Sequence, residues 1–178
     1  MSQIEKIPFS VDEKAEYILS ALRKGILLTT SADGKTDTMT IGWGALGIDW
    51  SEPVFIVYVR DSRYTKKLLD ANGEFTLNIP LPDQDARRIL SFAGTRSGRD
   101  VDKFEALNLH TVKGSAVSVP GILEVPMTVE CRVLYQQKQD PAAIPEEILS
   151  SHYPLSDFHT AYTARIVNAY ILRETDEA

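Results

Sequence analysis

Apolar positions recur at helical spacing near the start of the chain and then switch to a period of two. Val11, Ala15, Ile18, Leu19 and Leu22 fall on one stripe, which predicts an amphipathic helix over 11–24. Ser10, with Glu13 three residues on, spells a capping box, and Gly25 a stop. Ile26–Thr30 and Thr36–Ile41 then read as two strands about an Asp33-Gly34 turn. Pro53–Val59 is β-branched and aromatic, Glu74–Ile79 alternates, and Tyr162–Leu172 reads as a closing strand. In Met127–Gln137, Met127, Val129, Cys131, Val133 and Tyr135 are set against Thr128, Glu130 and Arg132. That alternation predicts one buried and one wet face. Helices are expected over 63–71, closed by Asn72-Gly73, and over 83–92, with single turns near 101–107 and 144–149. Residues 174–178 read as a frayed acidic tail. Strands joined by turns, with helices inserted rather than alternating, predict a mainly β, α+β antiparallel barrel with helical additions. No linker divides the chain, so 1–178 is expected to be one domain with its core over 10–172.

Charge narrows the function classes. Nineteen Lys and Arg face twenty-five Asp and Glu among 178 residues, a net −6. Such a chain lacks the general positive field that nucleic acids or anionic membranes require. An anion must instead be held by a few local cations. The lone Cys131 excludes an intramolecular disulfide framework and any cysteine-rich zinc module. No apolar run approaches the ~20 residues of a membrane span, and Met1–Phe9 holds no signal-peptide core. The expectation is a soluble, cytoplasmic protein.

Residues 42–47, Gly-Trp-Gly-Ala-Leu-Gly, match the dinucleotide fingerprint in spacing but not in context. A Rossmann turn opens directly into a helix, whereas this chain runs through Asp49–Pro53 into another strand. The glycines fit a strongly bent strand, or backbone close to a flat ligand. Arg60-Asp-Ser-Arg-Tyr-Thr65 lies where a strand meets a helix. Ser62 fits an N-cap, Tyr64 and Thr65 would offer free first-turn amides, and Arg60, Arg63 and Lys66 bring positive charge. Those are the parts of a phosphate pocket, and equally those of an ordinary capped helix with solvated arginines. A second cationic segment, Gly94–Phe104, offers Ser97, Gly98, Arg99 and Lys103. Taken alone it is a mobile polar loop. The two segments flank the Trp-bearing strand Thr38–Trp43, and together they suit a planar heteroaromatic phosphate. His110, His152 and His159 have no metal-ligand spacing, and no side chain stands out as catalytic.

Thr38-Met-Thr-Ile-Gly-Trp-Gly44, Arg60–Thr65, Glu74–Pro80 and Ala93-Gly94 with Ser97–Phe104 appear in this order. Together they resemble the flavin reductase-like, FMN-binding split-barrel proteins, on the flavoredoxin branch, over about residues 10–172. The resemblance implies a six-stranded antiparallel split barrel acting as a homodimer with one FMN per subunit. It places the phosphate on Arg60, Ser62, Arg63 and Thr65, with Tyr64 also in the cofactor site, and the ring along Thr38, Met39 and Thr40 near Trp43. Asn78, Ser97, Gly98 and Lys103 complete the pocket. It further implies an oxidoreductase passing hydride or electrons from NAD(P)H, or from a redox protein partner, to an acceptor. The alternatives are a non-enzymatic FMN electron carrier and a flavin-free binding module. Ala164 stands where the family often carries glycine, which questions the close packing there.

Overall fold

The computed structural model describes residues 3–175. Five helices are set on an antiparallel sheet of eight strands, β1 Gln3–Pro8, β2 Ile26–Ala32, β3 Lys35–Ile41, β4 Gly44–Asp49, β5 Glu52–Arg60, β6 Glu74–Ile79, β9 Met127–Lys138 and β10 His159–Thr175. A two-stranded ribbon, β7 Thr111–Val112 with β8 Gly121–Ile122, lies apart from it. The sheet order is β3-β2-β6-β9-β10-β5-β4. The two end strands, β3 and β4, are consecutive in the chain, joined by Gly42-Trp43. The sheet therefore curls back on itself as a barrel split beside Trp43. This is the expected split-barrel class, with more strands than the six expected.

β10 organises the barrel because it is long enough to pair three strands. Along one edge it pairs β5 through His159–Arg165 and β1 through Tyr170–Thr175, and along the other it pairs β9. Glu174 and Thr175 thus continue a strand rather than beginning a frayed tail, and the remainder of that tail lies outside the described residues. Ala164 is fully buried where the β9–β10 register slips by one residue.

The interior is filled by Leu28, Phe55, Val57, Leu77, Val129, Cys131 and Tyr162, with Ile18 and Leu22 of α1 Ala15–Lys24 against them. Burial pushes the Cys131 thiol well above its ordinary range, so it stays protonated and inert. A second apolar cluster, Leu27, Ala93, Leu107, Leu109, Ile122 and Val125, lies outside the barrel. It sits beneath α3 Arg87–Thr95 and α4 Lys103–Leu107. The remaining helices are α2 Tyr64–Asn72 and α5 Glu146–His152, the latter preceded by a single 3₁₀ turn at Pro141–Ala143.

Several boundaries differ from the periodicity. α1 begins at Ala15 without a side-chain cap, because residues 11–14 close reverse turns instead (Lys14 N–H to Val11 O, 3.1 Å). α3 starts at Arg87 rather than 83, since Gln84 N–H turns back onto Leu81 O at 3.0 Å. The wet face expected on β9 is dry over its first half. Thr128 and Glu130 are fully buried, and the Glu130 carboxylate accepts from the amides of Ser115 and Ala116, both at 2.6 Å, and from Tyr170 Oη at 2.8 Å. Residues 42–47 form a bend and then β4, with no crossover helix before β5. A Cβ on Gly44 would meet Ile56 O and Phe55 Cε1, both at 2.9 Å, so glycine there lets β4 lie close on β5. Among the described residues no helix is long and apolar enough to cross a membrane.

Candidate functional site

The site is welded together by Asp37, a residue the sequence did not single out. Its buried carboxylate accepts from Thr65 Oγ1 at 2.6 Å and pairs with Lys103 Nζ at 3.1 Å. Lys103 Nζ also donates to Thr38 O at 2.5 Å. Three segments distant in sequence, β3, the first turn of α2 and the start of α4, are tied at one point. Burial draws Lys103 below its ordinary lysine range, the Asp37 carboxylate opposes this, and Arg63 adds to the lowering. Gly98 passes through the remaining gap. A Cβ on it would stand 2.6 Å from both the Asp37 carboxyl group and Tyr64 Cδ1.

On this weld rests a crevice of 140 Å³ lined by Ser62, Arg63, Tyr64, Thr65, Ser97, Gly98 and Lys103 of the expected set, with Met39 at its edge. Thr95, Arg96 and Arg99 line it as well. The lining thus holds four cations and several hydroxyls, and no carboxylate. The amides of Tyr64 and Thr65, at the start of α2, have no backbone carbonyl partner among the described residues. Helix-terminal amides beside cations form an anion site.

A second crevice, of 150 Å³, adjoins it and shares Met39 and Arg63. It is lined by Met39–Trp43, Arg60 and His159, at the split of the barrel. Thr40 is anchored by its hydroxyl to Leu90 O at 2.6 Å. The Trp43 ring is 43% exposed and lies 5.0 Å from His159 and 5.2 Å from His152, centroid to centroid.

Four expected residues are held otherwise than the sequence suggests. Arg60 lines the second crevice rather than the cationic one, and its guanidinium donates to Asp157 O at 2.7 Å and His152 O at 3.0 Å. Ser62 does not cap α2, whose N-cap is Arg63 without a side-chain bond. Its hydroxyl donates instead to Asp157 Oδ2 at 2.6 Å and its amide to Oδ1 at 3.2 Å. Thr38 lies buried behind the crevices, its hydroxyl donating to Leu28 O at 3.3 Å. Asn78 lines neither crevice. Its amide oxygen accepts from Thr29 Oγ1 at 3.1 Å and its amide nitrogen donates to Thr128 Oγ1 at 3.2 Å, both within the sheet. A buried amide with partners on both neighbouring strands is satisfied where it is.

His159 enters the site from the start of β10. Burial, with Arg60 and Arg63 nearby, holds its imidazole down at about 4, only partly offset by Asp157 and Asp61. The neutral ring is braced at Nδ1, 2.9 Å from Tyr153 Oη, which itself donates to Gln139 Oε1 at 2.8 Å. With that hydroxyl proton directed at Gln139, Nδ1–H donates to Tyr153 and Nε2 is left as an acceptor. No spacing rule brings Asp37, Tyr153, Asp157 or His159 forward, since each reaches the site through a long-range contact. Arg96 shares a segment with Arg99 and was legible from charge alone. Among the described residues no cluster of His, Cys, Asp and Glu is placed to hold a metal ion.

The flavin reductase-like domain model matches residues 19–178, and the chain belongs to that family. A protein of unassigned function from Archaeoglobus fulgidus is 34% identical over 107 residues, which cover 60% of this chain and 59% of that one. The alignment therefore spans under two thirds of that relative's length. Flavoredoxin of Desulfovibrio vulgaris superposes with a TM-score of 0.63 at 24% identity, over 83% of this chain and 68% of that one. An FMN-binding domain of flavin reductase-like enzymes from Shewanella baltica gives 0.62 at 15% identity, over 96% and 78%. At these identities the structural likenesses establish the fold alone.

Proposed function

We propose that the protein is an FMN-dependent oxidoreductase. The observation that carries this reading is a cationic crevice without carboxylates, in a chain of net charge −6, adjoining a second crevice beside an aromatic ring. The donor set fits a phosphate monoester. The Arg63 and Arg99 guanidiniums, Ser97 Oγ and the amides of Tyr64 and Thr65 would hold it, with Lys103 and Asp37 keeping the crevice in shape. Met39–Trp43, Arg60 and His159, which line the second crevice, would hold the flat ring. The fold's FMN-binding and flavoredoxin members support the same cofactor.

Bound FMN would supply hydride and single-electron transfer. The chain's part is to bind, orient and shield. Arg63, which lines both crevices and is anchored through Nη1 to Gly94 O at 2.9 Å, fixes the distance between phosphate and ring. Arg60, held by two carbonyls, sets a fixed positive charge over the ring crevice, and such preorganised charge stabilises an anionic reduced state. His159, neutral and braced by Tyr153, presents an acceptor without adding a second charge. NADH, NADPH or a redox protein is the proposed electron source, and a homodimer the proposed assembly. Steady-state oxidation of NADH and of NADPH, with FMN and a quinone acceptor present, tests the enzymatic reading. Turnover with either nucleotide is expected. Bound FMN with no turnover would replace it with an electron carrier.

A further inference from the structure

Gly42 and Trp43 wall not only the ring crevice but also a larger cavity of 590 Å³ on the flank of α1. That volume lies within the range of small-molecule sites. Two leucines of α1 and the rings of Trp43, Tyr58 and Tyr153 form its apolar walls. Its polar lining has one character. Arg23 projects from the last turn of α1, and among the described residues its guanidinium has no acidic partner. Gln139 has its amide oxygen engaged by Tyr153 Oη and by the His159 amide, which leaves its N–H donors over. The Tyr58 hydroxyl and the Trp43 indole N–H add two more donors, and no Asp or Glu lines the cavity. Aromatic walls with donors, one of them a cation, favour a flat ligand carrying negative charge.

We propose that this cavity binds a planar aromatic monoanion, an arene carboxylate, with its ring against Trp43 and its carboxylate toward Arg23. The inference rests on the FMN reading in one respect only. Because Trp43 is common to both spaces, an occupant here is next to the cofactor ring and has the place of an acceptor substrate. A reduced nicotinamide ring is also flat, but its amide is uncharged, and the negative charge of that nucleotide lies on phosphates remote from the ring rather than on the ring itself.

Calorimetric titration of the full chain with 4-hydroxybenzoate, and with 4-hydroxybenzamide as its uncharged isostere, tests the proposal. The acid is expected to bind about tenfold tighter than the amide, the worth of a hydrogen bond to a charged group. Arg23→Gln should abolish that preference while leaving the amide's affinity within about twofold, and Arg23→Lys should restore part of it. Arg23 is exposed on a helix end, so both variants should fold. Equal binding of acid and amide, retention of the preference in Arg23→Gln, or binding of neither compound would each overturn the proposal. FMN titration of the same proteins keeps the two readings apart. Arg23→Gln should bind FMN as the unmodified chain does, and failure of that chain to bind FMN would refute the cofactor reading whatever the benzoate result.

Discussion

At His159, burial and two neighbouring guanidiniums act in the same direction. Its folded pKa of about 4 lies below the 6.5 of a free imidazole. As pH falls through 6.5 the unfolded chain takes up a proton that the folded chain refuses. Stability from this residue is therefore complete above about pH 6.5, declines between 6.5 and 4, and is flat below. The slope cannot exceed about 1.4 kcal/mol per pH unit. Denaturant unfolding at pH 7, 6 and 5 should show this loss in the unmodified chain and a shallower one in His159→Gln. Parallel curves would mean that the imidazole takes up its proton equally in the folded and unfolded chains, with no lowering of its pKa on folding. Nothing about a lone histidine in a polar connection announces this environment. Arg60, Tyr153 and Gln139 create it from three separate segments, and only the fold brings them together. Arg63 stands out in the sequence because it sits where a strand meets a helix, and Ser97 and Lys103 because they share one polar, glycine-containing segment. Asn78 was misplaced because a polar residue in an alternating strand fits a pocket and a buried amide ladder equally well.

The pair Asp37–Lys103 works between elements. Both side chains are almost wholly buried, at 4% and 3% exposed, so removing one leaves an uncompensated charge. Lys103→Met should destabilise the fold by about 3–5 kcal/mol. The double variant Asp37→Asn/Lys103→Met should recover most of that loss while still binding FMN weakly, because Thr65 Oγ1 loses the carboxylate that orients it. A double variant no more stable than Lys103→Met would show that the pair does not act as a unit. Elements whose own residues dictate them were legible, such as α1 with its apolar stripe, β5 with its β-branched run, and α2 closed by Asn72-Gly73. Elements made by their partners were not. β4 is half glycine and polar residues and is a strand because β5 pairs it. β1 is a strand because β10, some 170 residues on, offers it an edge. The second dry face of β9 depends in the same way on residues 115–116 folding over it.

For the whole molecule, the β4–β5 hairpin leaves apolar surface exposed at its tip. Ile48, near the end of β4, and Trp50, in the turn that follows it, are 70% and 58% exposed. The proposed homodimer would cover part of this surface. Light scattering at micromolar concentration should return twice the chain mass, and a monomeric mass would remove dimerisation from the account. The most direct test of the central claim is fluorescence titration of the apoprotein with FMN and with riboflavin, which share a ring and differ in the phosphate. FMN should bind at one per chain and about tenfold or more tighter than riboflavin. Arg63→Ala should weaken FMN binding by about 1.5–3 kcal/mol and narrow that gap. Riboflavin binding as tightly as FMN, or neither flavin binding at all, would contradict a cationic crevice built to hold a phosphate.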